Sequence, residues 1–254
     1  MRQLSLIALP GIPEVRAGAS LAMLILDGVQ RAGQQLQPGD VIVIAQKVVS
    51  KAEGRSVALD DITPSPRAHE LAEAAQKDPR LMELVLRESR EVIRVKPGVV
   101  IVEHKLGFVM ANAGVDRSNV GVAGVETHAL LLPENPDVSA AHIREGIYAA
   151  RRIDVGVIVN DSFGRAWRNG VTGVAIGVAG VPALIDMRGH ADRAGQELKV
   201  TQIAAADELA GAASLLMGQA DEGLPVVLAR GFPYARRESS VAELIRAREE
   251  DLFR

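Results

Sequence analysis

The run Val155-Gly156-Val157-Ile158-Val159-Asn160-Asp161-Ser162-Phe163-Gly164-Arg165-Ala166-Trp167-Arg168 decides how the chain is read. Its first five residues are apolar and rich in Val and Ile, which predicts a buried strand over 155–159. A polar cluster follows at once, and polar side chains at the end of an apolar strand can converge on a cleft while the strand keeps them rigid. A carboxylate followed by a hydroxyl, Asp161 and Ser162, offers hard oxygen donors to magnesium or manganese ions, which commonly share their coordination with phosphate. Arg165 and Arg168 are close enough in sequence to neutralise such phosphates. The same residues also suit an Asp-capped turn with two solvated arginines, and this run alone does not separate the two readings.

Working outward, apolar runs predict further strands at residues 4–9, 41–45, 99–102 and 226–229. Helical patterns lie between several of them. Residues 20–32 read as an amphipathic helix, and Ser65-Pro66 supplies an N-cap with proline at the first helical position for a helix over 67–76. Helices are also expected over 79–89, 140–151 and 201–217, the last closed near Gly218, with Pro133-Glu134-Asn135-Pro136 as a polar turn. The uneven spacing of strands and helices predicts an α+β or mixed α/β arrangement rather than a regular parallel wound sheet. Gly170, Gly173, Gly177 and Gly180 in a Val-rich segment predict bent strands or close backbone packing, and a merely glycine-tolerant sheet would look the same.

Composition removes whole classes of function. Of 254 residues only one is Trp, two are Tyr and four are Phe, too few for the aromatic platforms that stack single-stranded nucleic acid. Twenty-nine basic residues against 32 acidic ones, with no long run of like charge, argue against nucleic acid as a partner. Without cysteine there is no disulfide, iron–sulfur cluster or thiolate nucleophile. No signal-peptide pattern opens the chain and no apolar run approaches the roughly 20 residues of a membrane helix, so a cytoplasmic protein without membrane contact is expected. Neither a P-loop nor a G-x-G-x-x-G follows a strand, and neither a nucleophile elbow nor a tight histidine spacing is present.

Three more polar clusters remain. Ala111-Asn112-Ala113-Gly114-Val115-Asp116-Arg117-Ser118-Asn119 could give a second carboxylate in Asp116 and a nucleotide contact in Asn119, although these are also ordinary turn residues. Gln46-Lys47-Val48-Val49-Ser50-Lys51-Ala52-Glu53-Gly54 closes the strand at 41–45 and carries two lysines that could serve phosphate or be solvated. Met217-Gly218-Gln219-Ala220-Asp221-Glu222-Gly223 ends the last long helix, where a glycine C-cap is the plain reading.

Taken together and in this order, with Leu9-Pro10-Gly11-Ile12 near the start and Ala206-Asp207-Glu208-Leu209-Ala210 later, these clusters resemble the coenzyme F420-0:L-glutamate ligase (F420:gamma-glutamyl ligase) family over nearly the whole chain. The resemblance implies an α+β, two-domain mixed-sheet fold in an intertwined homodimer, with residues 1–254 as one module of two subdomains. It implies that GTP drives amide formation between L-glutamate and a deazaflavin precursor, coenzyme F420-0, through an acyl phosphate, with γ-linked glutamates added later. Metal ligation falls on Asp116, Asp161, Ser162 and Gln219, for a pair of magnesium or manganese ions, with a part for potassium left open. GTP contacts fall on Leu9, Pro10, Gly11, Ile12, Gln46, Lys47, Lys51, Asn119, Met217, Gly218, Gln219, Ala220, Asp221, Glu222, Gly223 and Leu224, and catalytic roles on Asp116, Asp161 and Lys51. Many relatives have Asp-Thr where this chain has Asp161-Ser162, which keeps the hydroxyl but loses the stiffer rotamer. Some bacterial relatives add a nitroreductase-like domain, which is not expected here. The competing expectations are another metal-dependent nucleotide phosphotransferase and a non-catalytic deazaflavin-binding module.

Overall fold

The computed structural model describes residues 2–117 and 128–252. Its centre is a five-stranded sheet made of β1 (Ser5–Ala8), β2 (Val41–Ala45), β8 (Gly156–Arg165), β9 (Arg168–Ala179) and β12 (Val226–Arg230), in the order β1-β12-β2-β8-β9. Only β2 and β8 run parallel; the other pairs are antiparallel. The protein is therefore a mixed α/β structure on a mixed sheet.

Strand alternation sorts the core onto two faces. Ile42, Ile44, Val157, Val159 and Leu228 point to one side, where they pack with Ile25 and Val29 of α1 (Leu21–Arg31) and Ile143 and Ile147 of α5 (Pro136–Arg151). Val41, Val43, Ile158 and Val227 point to the other, against Ala206, Leu209, Ala210 and Ala213 of α6 (Ala205–Met217). A separate cluster gathers Leu71, Met82 and Val85 of α3 (Pro66–Ala75) and α4 (Pro79–Arg87) with Val100 and Val102. Those two valines lie on β5 (Val99–His104), the centre of a three-stranded sheet with β4 (Ser89–Lys96) and β6 (Val109–Ala111). Short pairs β3 (Ser56–Ala58) with β7 (His128–Leu130), and β10 (Ile185–Asp186) with β11 (Gln202–Ile203), complete the strands.

Two local departures from the sequence reading matter for function. The segment 160–165, read as a polar cluster after the strand at 155–159 with a turn as the alternative, continues β8 because β9 supplies a full antiparallel partner out to Arg165–Arg168. Gln46–Ala52, expected as a strand end, is a helix, α2, which begins where β2 stops. Elsewhere the corrections are smaller: α5 starts at Pro136, with the Asn135 side chain accepting from the Val138 N–H at 3.2 Å, so the expected polar turn is an N-cap.

Candidate functional site

β2 ends at Ala45, opposite Asn160, while β8 runs on for five more residues. Beyond that point β8 has a partner on one side only. The gap left at the carboxyl end of this parallel pair is where ligands bind in open α/β sheets, and it opens into a cleft of about 400 Å³. Its walls come from residues 12–15 before α1, from Lys47, Val48 and Lys51 of α2, from Asn160, Asp161 and Ser162 of β8, and from residues 217–225 after α6.

A bulge sets the β8 side chains. Val159 faces Gly177 but Asn160 faces Ala175, so Ile176 is an extra residue in β9 and the local twist increases just before the polar triplet. The Ala175 N–H at that bulge donates to Asp207 Oδ1 at 2.9 Å, which places an acid from the first turn of α6 under the distorted ladder. After the bulge, Asn160 and Ser162 face α6. Asn160 Nδ2 donates to Ser214 Oγ at 3.0 Å, and Ser162 Oγ donates to Gln219 Oε1 at 3.0 Å.

Asp161 stands on the opposite face. Burial pushes its carboxyl up to about 6; the Ser162 N–H and the Lys47 ammonium pull it down, and Asp116 pushes it further up. Asp116 forms an ion pair with Lys47 at 2.5 Å and exchanges two backbone hydrogen bonds with Leu130. Lys51 pairs with Glu14 at 2.6 Å. The loop after α6 folds back at Gly218, φ +72°, and its Ala220 N–H donates to the Glu222 carboxylate at 2.8 Å. That amide contact, with further N–H groups of Glu222 and Gln219, holds Glu222 below the usual carboxylate range. A Cβ on Gly218 would lie 1.9 Å from Glu222 Cδ, so the loop needs glycine for both its angle and its contact.

Among the described residues no three of His, Cys, Asp and Glu converge on one point. Two carboxylates, Asp116 and Asp161, together with the Ser162 hydroxyl and the Gln219 amide oxygen form a hard, all-oxygen donor set of the kind magnesium or manganese takes. The Lys47 ammonium pairs with Asp116 and lowers the Asp161 carboxyl, so positive charge is favoured beside both acids. The donor set fits a divalent ion.

Of the residues singled out in the sequence, Ile12, Gln46, Lys47, Lys51, Asp161, Ser162 and residues 217–224 line the cleft. Asp116 reaches it through Lys47. Leu9 does not: it is fully buried in the core and its N–H donates to Val226. Pro10 and Gly11 are exposed beside it and outside the lining, and Gln46 Nε2 turns inward to Ser50 Oγ at 2.8 Å. Arg165 and Arg168 are exposed on the β8–β9 hairpin, outside the cleft, because the strand carries them past its end. Asn119 lies outside the described residues. Glu14, Asn160 and Ser214 line the site without having been singled out; adjacency to Asp161 was a signal for Asn160, whereas Glu14 and Ser214 have none in the sequence.

These features define a class: a mixed-sheet α/β protein whose polar cleft brings paired acids, a hydroxyl, an amide and two lysines to the carboxyl end of a parallel strand pair. The particular family follows from comparison. The family of F420-0:gamma-glutamyl ligases matches residues 11–231, and the chain belongs to it. It is 46% identical over 253 residues to the coenzyme F420:L-glutamate ligase of Methanothermobacter thermautotrophicus, covering 99% of each chain. The proteins of the same name from Methanopyrus kandleri and Halobacterium salinarum are 47% and 46% identical, over 95% and 97% of this chain and 94% of each relative.

Proposed function

We propose that this protein is a GTP-dependent ligase that joins L-glutamate to coenzyme F420-0 by an amide bond and then extends the product through γ-carboxylates. The observation that carries this reading is a cleft lined by Asp161, Ser162 and Gln219, with Asp116 joined to it through Lys47, in a chain of this family. A carboxylate is a poor acylating agent. Attack of an acceptor carboxylate oxygen on the γ-phosphorus of GTP breaks the bridging P–O bond and releases GDP, leaving an acyl phosphate. The glutamate amine then attacks the acyl carbon, the C–O bond to phosphate breaks, and the amine proton leaves with phosphate or solvent.

Asp116, Asp161, Ser162 and Gln219 would hold a divalent ion, magnesium or manganese, and a pair of ions is the fuller form of this reading. Bound there, such an ion supplies Lewis-acid charge to phosphate oxygens. Lys47 and Lys51 present ammonium groups to the same phosphates, and residues 217–224 supply backbone amides along the nucleotide. Potassium assists in this reading, the protein works in the cytoplasm as a homodimer, and each chain divides into two subdomains. No described helix is long and apolar enough to cross a membrane.

The test is product mass. Incubation with GTP, manganese or magnesium, L-glutamate and coenzyme F420-0 yields products heavier by successive glutamyl units, and Asp161→Asn lowers that rate by at least about 100-fold, the scale of losing a transition-state electrostatic contact. Consumption of GTP without glutamyl products would instead indicate a phosphotransferase, and full ligation by Asp161→Asn would remove the site assignment.

A further inference from the structure

A second, smaller recess lies beside β8, which carries Asp161, and β6, which precedes Asp116 in the chain. It measures about 250 Å³ and is lined by Phe108, Val109, Phe163, Leu244, Ile245 and Arg246, among others. Phe163 follows Asp161 by two residues on β8, so by strand alternation it stands on the same face, about 7 Å farther along. Val109 opens β6, with Phe108 just before it, and the strand leads through residues 112–114 to Asp116. Both strands thus connect the recess to the acid pair.

Its chemistry differs from that of the cleft. The two phenyl rings meet edge to face, with centroids 5.9 Å apart at 80°, so the recess is walled by aromatic carbon from a buried Phe108 and a half-buried Phe163. Val109 is 43% exposed at the rim, and Ile245 closes over Gly107, where a Cβ would stand 3.1 Å from Ile245 Cδ1. Drug-sized ligands fill roughly 300–1,000 Å³; this space suits one flat ring system rather than a whole substrate. Phe163 also belongs to the sequence cluster 161–165, in which the phosphate and metal roles leave it unused.

We infer that this recess seats the planar heteroaromatic ring of the acceptor substrate on Phe163, with the chain that bears its carboxylate leading back toward the cleft. The inference rests on the ligase reading for the identity of the acceptor, and on the recess alone for the chemical class of the ring.

The probe is a 5-deazaflavin riboside with neither phosphate nor carboxylate, whose own fluorescence reports binding to the full chain. The wild-type protein binds it, Phe163→Ala weakens it about five- to tenfold, and Phe163→Tyr retains it. Val109→Lys, a rim change placed opposite Glu103 so that the fold gains a compatible charge, weakens it as well. GTP affinity stays constant in all three variants. Unchanged probe binding in both Val109→Lys and Phe163→Ala overturns the inference, and so does a parallel loss of GTP affinity, which would mark Phe163 as a support of the fold. Ring binding by a protein that forms no glutamyl product would sink the ligase reading while leaving the recess as a ring site.

Discussion

Lys47 shows most directly what single residues contribute. Its ammonium lies 2.5 Å from Asp116 and also lowers the affinity of Asp161 for protons, so it holds two acids whose mutual repulsion would otherwise favour protonation. A divalent ion entering between those acids has to compete with it. Lys47→Met is therefore expected to tighten manganese binding to the nucleotide-free protein about tenfold, a difference of about 1.4 kcal/mol and well within the reach of one nearby charge. Titration followed by manganese electron spin resonance measures this directly; equal or weaker binding in the variant would show that Lys47 does not occupy the ion's place. In the sequence, Lys47 reads only as a phosphate partner or a solvated lysine. Its meeting with Asp116, 69 positions later, depends on α2 starting at the end of β2, which no local pattern announces.

Elements differ in how plainly their sequences declare them. The strands at 41–45 and 226–229 are legible because their apolar residues leave no other period, and α3 and α4 because Ser65-Pro66 and Asp78-Pro79 start them. The outer half of β8 is not legible: Asn160, Asp161, Ser162 and Gly164 are turn formers, and only pairing with β9 holds them extended. That pairing depends on small residues facing α6. A Cβ on Gly173 would fall 2.2 Å from Ser214 Oγ and 2.5 Å from the Ala210 carbonyl oxygen, contacts that no real Cβ makes. Gly173→Ala should cost about 1–3 kcal/mol as overpacking, read as a lower denaturation midpoint. It should also depress glutamyl transfer by moving Ser162 from Gln219. A variant as stable as wild type would mean that α6 can retreat without consequence. Close packing, one of the two readings the glycines at 170–180 allowed, holds at Gly173 and Gly177 but not at Gly170, which meets nothing within 4 Å, and its cause lies across the sheet rather than along the strand.

At the scale of the whole molecule, the parts are joined by charged contacts that the sequence does not advertise. Arg55 donates from Nε to the Leu132 carbonyl at 2.9 Å and from Nη2 to Glu88 at 3.0 Å, tying the end of α4 to the segment that enters the main core. The His104 imidazole, then Arg55 and Lys105, hold the Glu88 carboxyl below its ordinary value of 4.5 despite its burial. A carboxyl lowered on folding stabilises the native state above its unfolded pKa, and that contribution disappears as the pH falls through the folded value. Glu88→Gln should therefore lose about 1–2 kcal/mol at neutral pH and converge on wild type in acid, as followed by denaturant unfolding at several pH values; a pH-independent difference would assign the loss to packing. The assembly poses the last question. The β8–β9 hairpin ends in Trp167, 88% exposed and at φ +64°, a left-handed backbone position costing roughly 1–2 kcal/mol for a non-glycine residue. Val171, 52% exposed, lies just beyond it. A large indole held at such cost on a projecting arm, with apolar surface beside it, suits burial against a second copy of the chain. Native mass spectrometry should show twice the chain mass for the wild type and a shift toward the single chain for Trp167→Glu, with helix content unchanged. A wild-type monomer, or a variant that remains fully dimeric, would separate this arm from assembly and leave the cleft to function within one chain.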